Sequence, residues 1–145
     1  MSRAFPTMQI FAKRLMALEA GGDKSYRTKM LIGFHVCEKL HPNLAVFMGK
    51  TGFHALLTRS LALTALEFPW LRTVRVKDDW SLDGLEELQM QISQDELFSG
   101  GVALLAHLLE LLVTFIGEVF TVRLVRVVWP KVSVDDLDLG VGGEE

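Results

Sequence analysis

Residues 102–130 read VALLAHLLELLVTFIGEVFTVRLVRVVWP, and no other stretch limits the fold of this chain as strongly. No proline interrupts Val102 to Trp129, and Pro130 closes the run. A helix of this length extends roughly 40 Å at 1.5 Å per residue. It suits either the centre of a helical bundle or a membrane span, for which about 20 apolar residues suffice. The polar residues discriminate. At 100° per residue, His107, Glu110, Thr114, Glu118 and Thr121 all fall within about 80° of arc. Glu110 and Glu118 lie well inside the run, and an acid near a bilayer centre costs on the order of 2.5–3.5 kcal/mol. A narrow polar stripe therefore fits a central helix whose other sides are packed, partly by its own chain and partly by a second copy. Leu108, Leu112, Phe115 and Val119 are the candidates for that seam. Membrane association through this helix is the lesser alternative.

The rest of the chain reads as partners for that helix. Met8, Phe11, Leu15 and Leu18 recur at spacings of three and four, which predicts a helix from Thr7 to about Ala20, stopped by Gly21-Gly22. A second helix is expected from Lys24 to Leu40, ended before Pro42. Gly33 inside it costs about 1 kcal/mol relative to alanine, which suggests a close helix–helix contact there. A third helix is expected from Gly52 to Phe68, after a short helical turn at 43–48. Residues 72–77 alternate polar and apolar, and residues 131–134 are the expected partner of a two-stranded patch. Asp83 with Glu86 and Ser93 with Glu96 have capping-box spacing and mark two further helix starts. Ser99-Gly100-Gly101 is expected to interrupt the path before the long helix.

The expected fold is thus mostly α: a single-domain bundle of about five helices over 1–134, with one long central helix at about 102–129. An acidic, glycine-rich tail, expected to be flexible, follows at 135–145. The chain has 145 residues, of which half are hydrophobic, so it exceeds what a soluble domain of this size needs to bury. That excess favours self-association. Residues 1–60 carry nine Lys/Arg against three Asp/Glu, and residues 61–145 carry six against fifteen, so the net charge of −3 hides a basic half and an acidic half. The basic residues form no run interleaved with aromatics, which argues against a nucleic-acid surface. One cysteine, Cys37, excludes an internal disulfide and fits a cytoplasmic setting.

Three motifs bear on chemistry. Gly49-Lys50-Thr51 resembles the end of a phosphate loop, but such a loop needs a glycine where Leu44 stands, so this stretch reads as a hinge before the third helix. His35 with Glu38 and His107 with Glu110 each lie three apart on one helical face and could each offer a nitrogen and an oxygen to a metal. Cys37 lies between the first pair, but neighbours two apart on a helix diverge, so no Cys–His nucleophile is built locally. No catalytic motif and no cofactor loop emerges, and no cofactor is expected. The expected function is a non-enzymatic protein-interaction or regulatory module acting through a helical, homodimeric bundle, the simplest cover for the apolar surface. A metal- or small-molecule-binding bundle that uses His35, Glu38, His107 and Glu110 is the alternative.

Overall fold

The computed structural model describes residues 4–20, 26–77 and 82–130. Five helices form: α1 (Ala4–Ala20), α2 (Tyr26–Lys39), α3 (His41–Ala65), α4 (Leu85–Gln91) and α5 (Gln94–Val128). A 3-10 turn, Pro69–Thr73, and two short strands, β1 (Arg75–Val76) and β2 (Leu82–Asp83), connect α3 to α4. The fold is mostly α, with α5 at its centre, and α1, α2 and α3 all pack on it. Phe11, Leu15, Phe34, Leu104, Leu105 and Leu108 are fully buried where these helices meet. Each such side chain contributes about 1.5–3 kcal/mol on removal from water.

Glycine sets the closest approach. A Cβ on Gly33 would sit 2.5 Å from the carbonyl carbon of Gly101, so α2 and α5 touch backbone to backbone. A Cβ on Gly100 would sit 2.7 Å from the Trp70 ring. The expected interruption at Ser99-Gly100-Gly101 is therefore absent. α5 runs through both glycines, which are there for contact rather than for a turn. The Ser93 cap is as expected, with its hydroxyl accepting from the Glu96 N–H at 3.2 Å. The Asp83–Glu86 cap does not form, because α4 starts from Gly84 in left-handed backbone at φ 101°.

Two helices are broken. Gly49 in α3 has φ 75° and ψ 168°, and Gly117 in α5 has φ 88° and ψ 161°. Positive φ of this kind is open to glycine and rarely to an L side chain. Each break frees an arm, residues 41–48 of α3 and 118–128 of α5. The rings of Phe47 and Phe120 meet at 6.1 Å, so the two arms lie together. Gly49 is thus the hinge expected of the Gly-Lys-Thr stretch. The break at Gly117 was not legible in the apolar run, and it divides the polar stripe. His107 and Glu110 precede it, Glu118 and Thr121 follow it, and Thr121 is buried with its hydroxyl donating to the Gly117 carbonyl at 2.8 Å.

The two-stranded patch exists with a different partner. β1 pairs antiparallel with β2, Arg75 opposite Asp83 and Val76 opposite Leu82. The expected partner, 131–134, and the tail at 135–145 lie outside the described residues. A short connection between strands loses less closure entropy than one of more than fifty residues, which favours the local pair.

Candidate docking face

The His–Glu pairs come first. His35 and Glu38 share the exposed side of α2, and the His35 Nδ1–H donates to Glu38 Oε1 at 3.3 Å. The other carboxylate oxygen, Oε2, accepts from the Leu82 N–H at 2.8 Å, so Glu38 fastens β2 to α2. The His35–Glu38 hydrogen bond and the negative charge of Glu38 raise the His35 pKa above its ordinary value, against partial burial. His107 lies half-buried on α5, its Nε2 4.0 Å from Glu67 Oε1 at the end of α3. Burial lowers its pKa, opposed by Glu110 and Glu67. Each pair thus has its own surroundings: His35 and Glu38 face β2, and His107 faces the end of α3. Among the described residues, no three His, Cys, Asp or Glu side chains come together as a metal would need. Cys37 is fully buried, and desolvation raises its thiol pKa far above the range in which a thiolate forms.

A second carboxylate works as a fastener. Glu19 Oε1, at the end of α1, accepts from Lys39 Nζ at 2.7 Å and from the Trp129 indole N–H at 3.1 Å. The C-terminal ends of α1, α2 and α5 are tied at this one oxygen. The arm of α5 is therefore held at its far end by Trp129 and along its length by buried Leu124 and Val125.

Two of the clefts among the described residues adjoin α3. The larger, about 370 Å³, lies between α3 and the 3-10 turn, with Leu61, Ala65 and Val74 inside and Arg72 and Arg75 at its edge. His54 closes one end, its Nε2–H donating to the Val76 carbonyl at 3.2 Å. The smaller, about 230 Å³, lies between the two arms and is lined by Asn43, Val46, Phe47, Phe120, Arg123, Leu124 and Val127.

Among the described residues, most exposed large apolar side chains lie on the arms or just before the Gly117 turn. Val46, Phe47, Phe115, Val119, Phe120 and Val127 are each between 47% and 82% exposed. The Phe47–Phe120 contact brings the Gly49 and Gly117 turns to the same end of the molecule, since each ring lies within three residues of its glycine. Of the four residues expected at a dimer seam, Leu108 and Leu112 are packed inside this chain, and Phe115 and Val119 are exposed beside the Gly117 turn. Basic groups border the patch. Arg123 and Arg126 are exposed, with the Arg123 guanidinium 5.8 Å from the Phe120 ring centre, and Lys50 is exposed next to the Gly49 turn. Among the described residues, no carboxylate lines the cleft between the arms. Phe120 and Val127 are not legible as surface, because 102–129 reads as one straight rod, and Val46 and Phe47 fall in 43–48, which reads only as a helical turn before the third helix. Gly117 between Ile116 and Glu118 was the signal available.

No protein-family model, no curated protein and no solved structure matches this chain.

Proposed function

We propose that this chain is a non-enzymatic docking module that acts by seating the face formed by its two arms on a partner. One observation carries this reading: four large apolar side chains, Val46, Phe47, Phe120 and Val127, stand in solvent around the cleft between the arms, in a chain that buries Phe11, Phe34 and Phe53 completely. Exposed apolar surface gathered into a patch and rimmed by polar groups marks an interaction site. The face is held open by design of the backbone, because the two glycine turns set the arms side by side and Trp129 ties down the end of one.

The experiment places a photo-cross-linking residue at Val46, on the face, and at Met90, which is 90% exposed elsewhere. The full-length chain is expressed in cells in both forms. Adducts from position 46 that are absent from position 90 are expected, with protein or with lipid. Equal or no adducts from the two positions would remove the docking reading.

A further inference from the structure

The arms differ from an ordinary protein seam in their charge. The exposed side of residues 118–128 consists of Val119, Phe120, Arg123, Arg126 and Val127, and its one acid, Glu118, is half-buried. The neighbouring arm adds Val46 and Phe47, followed by exposed Lys50. Apolar and cationic side chains are thus mixed on one exposed face beside two bare turns. A short helix with Phe and Val among arginines lies in the plane of a bilayer interface, with its apolar groups at the acyl boundary and its cations among anionic headgroups.

We propose that the arm face docks on an anionic lipid surface. This rests on the docking reading and names its partner. A second copy of the chain is the competing occupant, and charge tells against it. A two-fold interface sets some residue against its own copy. A two-fold pairing centred on Arg123, the middle of the exposed set on the α5 arm, would bring two Arg123 guanidiniums together, and no carboxylate of the described residues lines the cleft to separate them. An anionic bilayer meets Arg123 and Arg126 of one chain with opposite charge. It also accepts Phe47, Phe115 and Phe120 without requiring a shaped complement. At the Gly49 and Gly117 turns a Cβ would meet no other part of the described residues within 4 Å.

The test is co-sedimentation of the full-length chain with vesicles of phosphatidylcholine alone and of phosphatidylcholine with phosphatidylserine, with light scattering on the same samples. Binding to the anionic vesicles and little to the neutral ones is expected. A basic residue at such a surface strengthens binding about fivefold, so Arg123→Gln with Arg126→Gln should weaken it about 25-fold. Both arginines are exposed, and circular dichroism of the variant confirms its fold. Higher salt should weaken binding in the same direction. Equal affinity for neutral and anionic vesicles, or no effect of the double substitution, would overturn the lipid assignment. So would a dimer that binds no vesicle and that Phe47→Asp makes monomeric, although the docking reading would then stand. A monomer that binds no vesicle and gives no cross-link from position 46 would remove both.

Discussion

Gly33 and His35 stand two residues apart on α2 and make different demands on their surroundings. Gly33→Ala puts a methyl 2.5 Å from the Gly101 carbonyl carbon, and backbone on both sides cannot rotate away. Overpacking costs about 1–3 kcal/mol, and against rigid backbone at 2.5 Å the upper end applies, which outweighs the roughly 1 kcal/mol that alanine gains in helix propensity. The thermal midpoint of Gly33→Ala should therefore fall by several degrees, at about 2–4 °C per kcal/mol for a chain near this size. An unchanged midpoint would mean that α2 and α5 do not meet backbone to backbone. His35 acts through its proton. Its pKa is raised in the folded state by Glu38, so the folded chain holds this proton more tightly than the unfolded chain. The pair's contribution is fully present below the unfolded value of about 6.5 and is lost as pH rises through the raised folded value. His35→Gln should remove a slice of stability at pH 5.5 and little at pH 8.5, in denaturant titrations at the two pH values. A loss of equal size at both would show that the histidine acts through packing alone. His107 titrates in the opposite sense, because burial lowers its pKa and protonation opposes the fold.

At the scale of elements, the arms depend on two backbone conformations. Gly117→Ala keeps the space around residue 117 open but forces a side chain into φ 88°, which costs about 1–3 kcal/mol. The alternative, a straightened α5, would pull Leu124, Val125 and Trp129 out of the core and detach the Trp129 indole from Glu19. Faster amide exchange in residues 118–128 than in residues 102–112 is the expected result for Gly117→Ala. Uniform acceleration along α5 would instead show that the arm has no separate stability. This break also marks the limit of what the sequence revealed. The periodicity of Met8, Phe11 and Leu15 located α1, and the Ser93–Glu96 box located a helix start at Gln94, because local spacing and capping carry that information, but that start reads as a separate short helix rather than as the beginning of α5. A strongly apolar run carries no such signal, since every face reads as core. Only Gly117 hinted at a break, and glycine within a helix reads as contact or turn alike. Gly33, Gly100 and Gly101 turned out to be contacts, and Gly49 and Gly117 turns. The difference lies in what packs against each one, which is long-range. The His–Glu spacings were legible as pairs. Their separate surroundings were not, because Glu67 and Leu82 reach them from elements distant in sequence.

For the whole molecule, the open question at a membrane is whether the bundle stays intact. α5 is long and apolar enough to cross a bilayer by length and composition, yet 44% of its most apolar window is buried within the bundle. Spanning would require that buried share to leave α1, α2 and α3. Docking through the arms requires nothing of the kind, because Phe47, Phe115, Phe120 and Val127 are already in solvent. Cys37 reports the difference. It is fully buried on α2, and its thiol is the chain's sole cysteine, so a thiol reagent labels it only when the core opens. In buffer, labelling should follow the same denaturant transition as the loss of helical circular dichroism, as expected for one cooperative unit. With anionic vesicles bound, the protection of Cys37 should be kept or increased, because binding to the folded form adds to its stability. Rapid labelling on vesicles, with none in buffer, would show instead that the core unpacks and α5 inserts, and the arms would then be an entry point rather than the docking face itself.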